Sequence, residues 1–160
     1  MFISLSLLFK MRAVIQRVKS ATVRVNERVI STIGPGLLIL LGVEGADTDE
    51  DINWLSQKIA QIRIFPDQNG YMNISSGEAK AQLMVISQFT LFASTKKGNR
   101  PSFIKAAPAA EAKQLYEKFV KKLTEMSQSQ IQTGSFGADM QVELINDGPV
   151  TIIMDSKNKE

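Results

Sequence analysis

The sequence predicts an α+β domain, built from a mainly antiparallel β-sheet with two principal helices packed on it. Several strand-like runs come first along the chain, and helical segments are interspersed only after them. This order is typical of α+β proteins rather than of regularly alternating strands and helices. A length of 160 residues and a hydrophobic fraction of 44% fit one soluble globular domain.

Strands account for most of residues 12–43. Polar and apolar residues alternate over 22–25, which is the period of a half-buried strand. A turn at 26–27 then predicts a hairpin with the strand that follows it. The apolar run over 37–43 suits a central strand that is buried on both faces.

Two helices are predicted from apolar periodicity and from their first residues. Thr48 and Asp51 have the spacing of a capping box, and apolar residues then recur at helical spacing over 49–62. A second helix is expected to begin near Pro108, because proline suits a first helical turn. Its apolar stripe consists of Ala112, Leu115, Tyr116, Phe119, Val120, Leu123 and Met126.

The remaining strands are short. Residues 83–87 form an apolar run, and residues 94–108 form a polar loop interrupted by glycine and proline. Two further strands are expected over 140–145 and 150–154, with a turn between them.

The two ends of the chain are expected to lie outside the domain. Residues 1–10 are largely apolar, but a membrane-spanning helix needs roughly 20 residues. They also lack the basic start and the small-residue cleavage site of a secretory signal. We therefore expect an N-terminal extension at 1–10, a single domain over 11–156 and a polar tail at 157–160, in a cytoplasmic protein.

The chain contains neither histidine nor cysteine. Disulfide bonds and thiol redox chemistry are therefore excluded, and a zinc site built from carboxylates alone is not expected. Any catalysis has to proceed without the commonest general base and without the commonest soft nucleophile. The net charge of +3 is compatible with a polyanionic partner.

The first candidate site is Ser87-Gln88-Phe89-Thr90, at the end of an apolar strand. A strand end holds reactive groups in place, and the backbone N–H groups of Phe89 and Thr90 are suited to face a developing oxyanion. A nucleophilic Thr90 needs an adjacent base, and this motif contains no lysine, aspartate or glutamate. A plain polar strand end is the alternative interpretation.

Two further segments contain groups that suit a binding or catalytic role. Gly148 permits the close approach of another backbone, and Pro149 cannot donate to a strand ladder, so the pair is able to present two bare carbonyl oxygens to a cleft. An ordinary turn is the alternative. Lys96, Lys97 and Arg100 lie on one loop beside an aromatic residue, which suits a phosphate backbone and a terminal base. A solvated basic loop is the alternative.

Five segments of the chain form a recognisable series when taken in order: 11–18, 87–91, 97–103, 133–140 and 146–151. Together they resemble the D-aminoacyl-tRNA deacylase family. The patterns Ser-Gln-x-x-Leu and Asn-x-Gly-Pro-x-Thr of that family are both present without departure, and the resemblance extends over residues 11 to 156. The extension before Met11 is the one departure.

This resemblance implies a homodimer that hydrolyses the ester linking a D-amino acid, or glycine, to the 3′ end of tRNA, without a metal or a cofactor. The reaction would rely on the 2′-hydroxyl of the terminal adenosine to assist water, and a Thr90 nucleophile ranks second. The implied catalytic residues are Ser87, Gln88, Phe89 and Thr90.

The resemblance also implies how L-amino acids are rejected. Gly148 and Pro149 would form a cis pair that enters the active site of the other subunit, where its carbonyl oxygens exclude L side chains. Residues implied to support this pair are Arg17, Asn146 and Thr151. The candidates for contacting tRNA are Lys96, Lys97, Arg100 and Phe136.

Two other classes of function stay open on the residues alone. One is a non-catalytic module that binds RNA ends through the same basic loop. The other is a small-molecule esterase with Thr90 as its nucleophile, which would form an acyl-enzyme and would not need tRNA.

Overall fold

The computed structural model describes residues 11–160, so the extension expected at 1–10 lies outside the described residues. The elements in chain order are β1 (Arg12–Val25), β2 (Arg28–Ile33), β3 (Gly36–Gly42), α1 (Asp49–Gln61), β4 (Phe65–Pro66), β5 (Met72–Ile74), β6 (Gln82–Ser87), a 3-10 turn (Phe89–Phe92), α2 (Ala109–Ser127), β7 (Ile131–Thr133) and β8 (Gln141–Asp155).

The long strand β1 organises the main sheet. It pairs antiparallel with β3 along its first half and with β2 along its second half. Strand β8 pairs antiparallel with nearly all of β1, and therefore lies on the opposite edge of β1 from β2 and β3. A short antiparallel pair, β4 and β5, forms a separate two-stranded sheet.

The sheet is mixed, so the expectation of a mainly antiparallel sheet is correct only in part. β3 pairs with β6 in parallel, and β6 pairs with β7 in parallel. Parallel neighbours need a crossover connection, because the chain has to return to the same end of the sheet. Helix α1 lies in the connection from β3 to β6, and α2 lies in the connection from β6 to β7.

Both predicted helices are confirmed. Thr48 and Asp51 form the expected capping box at α1, in which the Thr48 backbone N–H donates to Asp51 Oδ2 over 2.9 Å. Helix α2 follows Pro108 and ends at Ser127, and the next residue, Gln128, has a left-handed φ of 53°. Neither helix, nor any other in residues 11–160, has the length and apolar character needed to cross a bilayer.

The helices cover one face of the sheet and enclose the larger core. Alternate residues of β3, among them Leu37 and Ile39, pack in this core with Leu55 of α1 and Phe119 of α2. Leu38, between them, belongs to a second buried cluster with residues of β1, β2 and β6. Burial of β3 on both faces is therefore confirmed.

One long strand, β8, replaces the two short C-terminal strands that the sequence predicts. Gln16 of β1 faces Thr151, and Val18 faces Asn146. Arg17 alone therefore lies opposite residues 147–150, which form a bulge within β8. The bulge contains both Gly148 and Pro149, and pairing with β1 holds the strand together on either side of it.

Candidate active site

An apolar cavity of about 540 Å³ lies at the carboxyl end of β6. Ser87, Gln88 and Phe89 form one side of it, where the strand ends and the 3-10 turn begins. Small side chains before and within α2, together with the segment between β7 and β8, form the other walls. Residues from these walls include Ala107, Ala112, Phe136, Met140 and Val142.

The backbone after β6 is held tightly against β3. The Gln88 N–H donates to the Leu41 carbonyl over 2.7 Å, which prolongs the contact between the strands beyond Ser87. A Cβ atom at Gly42 would lie only 3.0 Å from Leu91 Cβ and 3.1 Å from the Gln88 carbonyl oxygen. Glycine at this position therefore lets the 3-10 turn pack directly on the end of β3.

Two backbone N–H groups and one side-chain amide lie at the start of the turn. Phe89 and Thr90 are the first residues of the turn, so their N–H groups have no carbonyl partner within it. The Gln88 side-chain amide donates a hydrogen bond to the Thr90 hydroxyl. An amide is no base, so this contact orients the hydroxyl without activating it as a nucleophile.

Aromatic rings form the cavity walls on two sides. Phe89 and Phe103 meet edge to face, with ring centroids 5.2 Å apart. Phe136 packs against Tyr116, with centroids 5.6 Å apart, and the Tyr116 hydroxyl donates to the Val85 carbonyl over 2.7 Å. Burial, with a smaller effect of the Glu117 charge, raises the pKa of Tyr116 to about 12, so this phenol stays neutral and serves to hold α2 on β6.

The basic loop ends beside the cavity. Ser94 and Ser102 exchange backbone hydrogen bonds of 2.8 and 2.9 Å, which close the loop at its base. The residue after this pair, Phe103, lines the cavity. The candidates for tRNA contact on the closed loop, all of them exposed, are Lys96, Lys97 and Arg100.

The bulge of β8 is held by a buried arginine. Arg17 donates to the Ile64 carbonyl over 2.6 Å and, through Nε, to the Asp147 carbonyl over 3.0 Å. The Gly148–Pro149 bond is cis, and Gly148 has a φ of +128°. A Cβ atom at Gly148 would lie 3.2 Å from the Arg17 guanidinium, so glycine is needed for this approach.

Two residues beside the bulge were also predicted to support it. The Thr151 hydroxyl donates to the Gln16 side-chain oxygen over 2.6 Å, which ties β8 to β1 directly after the bulge. Asn146 faces Val18 at the other end of the bulge and is exposed.

Apart from the three cations of the basic loop, the predicted site residues therefore fall into two groups. Ser87, Gln88, Phe89 and Phe136 line the cavity, and Thr90 joins them through Gln88. Residues of the bulge group do not line the cavity of their own chain. This second group consists of Arg17, Asn146, Gly148, Pro149 and Thr151.

Several residues of the cavity were not among the predicted site residues. Phe103 was noted only as an aromatic neighbour of the basic loop. Met140 belongs to segment 133–140, which carries part of the family resemblance, but no role was predicted for it. Gly42, which packs behind the 3-10 turn and does not line the cavity, was predicted only as part of the apolar run over 37–43. In residues 11–160, no group of three or more acidic side chains is arranged to hold a metal ion.

Comparisons with known proteins agree with this architecture. Residues 14–155 match the family model described as D-Tyr-tRNA(Tyr) deacylase. A D-aminoacyl-tRNA deacylase of Akkermansia muciniphila is 55% identical over 150 residues, which cover 94% of this chain and 100% of that protein. Another, from Flavobacterium johnsoniae, is 57% identical over the same shares of both chains.

A solved structure has a closely similar fold. The c-Myc DNA Unwinding Element Binding Protein superposes with a TM-score of 0.84 and 38% identity, covering 89% of this chain and 97% of that one. The fold and the relatives together define an ester hydrolase that acts on charged tRNA. The chain belongs to the D-aminoacyl-tRNA deacylase family, and its reaction is the removal of D-amino acids from tRNA.

Proposed function

We propose that this protein proofreads the chirality of aminoacyl-tRNA, releasing D-amino acids and glycine with help from the RNA itself. The observation that carries the chemical part is the environment of Thr90. Its hydroxyl is bound by the Gln88 amide, and the chain has no histidine or cysteine to supply a stronger base or nucleophile.

In this mechanism, the 2′-hydroxyl of the terminal adenosine assists the attack of water on the ester carbonyl. The N–H groups of Phe89 and Thr90 stabilise the negative charge that develops on the carbonyl oxygen, because they are fixed donors beside an apolar cavity. Ser87 and Gln88 orient the ester, and Gln88 also holds the Thr90 hydroxyl.

The test compares the effect of removing the Thr90 hydroxyl with the effect of removing the 2′-hydroxyl of the terminal adenosine. Thr90→Ala is expected to retain most of the rate of D-Tyr release, whereas tRNA ending in 2′-deoxyadenosine is expected to be hydrolysed at least about 100-fold more slowly, as for loss of a general catalytic group. Full hydrolysis of the 2′-deoxy substrate, together with an inactive Thr90→Ala variant, would instead identify Thr90 as the nucleophile.

The same assay separates the other two classes of function. A non-catalytic RNA-end module would bind tRNA without releasing an amino acid. A small-molecule esterase would hydrolyse a simple D-tyrosine ester without tRNA and would accumulate an acyl-enzyme that mass spectrometry detects. Release of D-Tyr but not L-Tyr from charged tRNA by the purified protein is the expected result.

We assign the rejection of L-amino acids to Gly148 and Pro149 of the second subunit in a homodimer. Two observations support this. The pair does not line the cavity of its own chain, and both residues are exposed on a bulge that Arg17 holds firmly. A backbone wall discriminates better than a pocket of side chains, because it does not relax away from a clash as easily.

A mixed-dimer experiment tests this assignment. Heterodimers are formed from one subunit carrying Phe89→Ala and one carrying Gly148→Ala. If the bulge acts across the interface, one of the two cavities in such a dimer keeps both native elements, and half of the D-Tyr activity with full chiral selectivity is expected. Equal loss at both cavities, or a monomeric protein with full selectivity, would contradict the assignment.

We further propose that Lys96, Lys97 and Arg100 bind phosphates near the 3′ end of the tRNA, beside the terminal base at Phe136. Neutralising each cation to glutamine is expected to reduce the slope of log affinity against log salt by about one phosphate contact, or roughly 0.7–0.9. Lys80, exposed at the opposite end of β6, is the matched control. Unchanged slopes in all three variants would mean that the loop is solvated and does not bind phosphates.

The site of action is expected to be the cytoplasm, where charged tRNA is used. Fractionation of cells that express the untagged protein tests this, and recovery with membranes would contradict it.

A further inference from the structure

A single guanidinium group holds the reverse side of the 3-10 turn. Arg12 Nη1 donates to the Leu91 carbonyl over 3.0 Å, and Arg12 Nε donates to Asp155 Oδ2 over 3.1 Å. The guanidinium also stacks over the buried ring of Phe92, 4.8 Å from its centroid. Two of these three partners, Leu91 and Phe92, belong to the turn whose first residues, Phe89 and Thr90, complete the Ser87–Thr90 motif.

The strand register explains how this residue reaches the turn. Arg12 faces Gly42 on one side and Asp155 on the other. Gly42 is the position against which the turn packs, with Leu91 Cβ and the Phe92 ring each 3.0 Å from a Cβ atom placed there. The Arg12 side chain therefore passes beside the point of closest contact between β3 and the turn.

We propose that Arg12 is a positioning residue for the deacylation, and that it acts by fixing the orientation of the 3-10 turn. The Leu91 carbonyl lies near the end of the turn, where carbonyl groups lack helical partners. The N–H groups of Phe89 and Thr90 lie at its start. Because the turn has only four residues, a rotation at its end displaces the donors at its beginning.

The chemistry of the side chain favours this role over a purely electrostatic one. The Arg12 side chain is 33% exposed and that of Asp155 is 14% exposed, so their hydrogen bond is partly shielded from water. A guanidinium binds two acceptors and a ring at once because its donors form a rigid planar fork, which a lysine ammonium does not provide. The ion pair with Asp155 sets the plane of this fork.

The inference rests on the proposed role of the turn as the oxyanion-binding element. Arg12→Met and Arg12→Lys are therefore compared with the wild type in hydrolysis of D-Tyr-tRNA. A displacement near 1 Å costs on the order of 100-fold in rate, so kcat is expected to fall about 10- to 100-fold in Arg12→Met, and about 10-fold in Arg12→Lys. KM is expected to change less than about twofold, because Arg12 does not line the cavity.

Arg24→Lys is the matched control. Arg24 also lies on β1 and also pairs with an acid of β8, Glu143, over 3.5 Å, but this pair is exposed and lies far along β1 from the turn. Its kcat is expected to stay at the wild-type value. Asp155→Asn, which keeps an acceptor for Arg12 Nε, is expected to lose less than about threefold, since a neutral acceptor weakens such a hydrogen bond without removing it.

The outcomes are distinguishable. If kcat in Arg12→Lys and Arg12→Met stays at the wild-type value for the folded fraction, as measured by thermal unfolding of the same samples, the positioning role is wrong. The same conclusion follows if Arg24→Lys loses as much activity. If the wild type itself does not hydrolyse D-Tyr-tRNA, the proposed function fails before this inference is reached.

Discussion

Burial of one carboxyl group is expected to make the stability of the fold depend on pH. Asp47 lies between β3 and α1 and is only 7% exposed. Its Oδ2 accepts the Glu44 N–H over 2.7 Å, whereas Oδ1 is buried and has no hydrogen-bond partner within residues 11–160. Desolvation, with repulsion from Asp51 and Glu44, raises the pKa of Asp47 from 3.8 to about 7.

The sign of the effect follows from the two pKa values. In the unfolded chain Asp47 loses its proton near pH 3.8, but in the folded protein it keeps the proton up to about pH 7. The contribution to stability is therefore complete below pH 3.8 and is lost as the pH rises to about 7. At roughly 1.4 kcal/mol for each pKa unit, the full loss is about 4 kcal/mol. This is a large part of the stability of a typical domain, about 5–15 kcal/mol.

Urea unfolding between pH 5 and pH 8.5 measures this loss. The free energy of unfolding of the wild type is expected to fall by up to about 3 kcal/mol over the range, because part of the loss occurs below pH 5. Asp47→Asn, which mimics the protonated form, is expected to remove most of the fall and to be the more stable protein at pH 8.5. Asp51, whose pKa is lowered, titrates below this window.

Asp49→Asn is the control, because Asp49 lies two residues away with its side chain 78% exposed. It is expected to retain the pH dependence of the wild type. Equal stability of the wild type at pH 5 and pH 8.5 would refute the reasoning without reference to any variant. A fall of the same size in Asp47→Asn would assign the effect to another group.

Two further substitutions test the packing around the cavity and the bulge. Tyr116→Phe removes the hydroxyl that donates to the buried Val85 carbonyl. We expect the free energy of unfolding in urea to fall by about 1–3 kcal/mol. An unchanged value would mean that water replaces the hydroxyl. Gly148→Ala combines a φ of +128° with contacts of 2.9 Å to Val150 Cγ2 and 3.2 Å to Arg17, and should cost about 1–3 kcal/mol more than Gly70→Ala, where φ is +81° and the space is open. Equal losses would show that these contacts relax freely.

Helices and buried strands were predictable because their signals are local. The capping box at Thr48 and Asp51 joins residues only three apart, and Pro108 marks the start of α2 without reference to the rest of the chain. Burial of β3 on both faces follows from its composition. These features depend on short-range sterics and on hydrophobic periodicity, both of which a sequence displays directly.

Strand direction and the continuity of β8 were not predictable in the same way. An isolated apolar run such as β6 does not indicate whether its neighbours are parallel or antiparallel. Residues 146–149 have the composition of a turn, yet pairing with β1 on both sides keeps them within one strand. The Arg17 side chain that holds this bulge is 130 residues away from Asp147 in the chain.

The candidate active site also combines features that the local sequence predicts with features that only tertiary packing decides. Histidine and cysteine catalysis could be excluded from the composition of the chain alone. The motif from Ser87 to Thr90 could be recognised at the end of its strand because its residues are adjacent in the sequence. Which side chains surround that motif was decided by packing alone. Phe103 and Met140 become walls of one cavity only in the folded chain. Arg12 reaches the Leu91 carbonyl across 79 residues because the start of β1 and the end of β6 pair with opposite edges of β3, near the end of that strand.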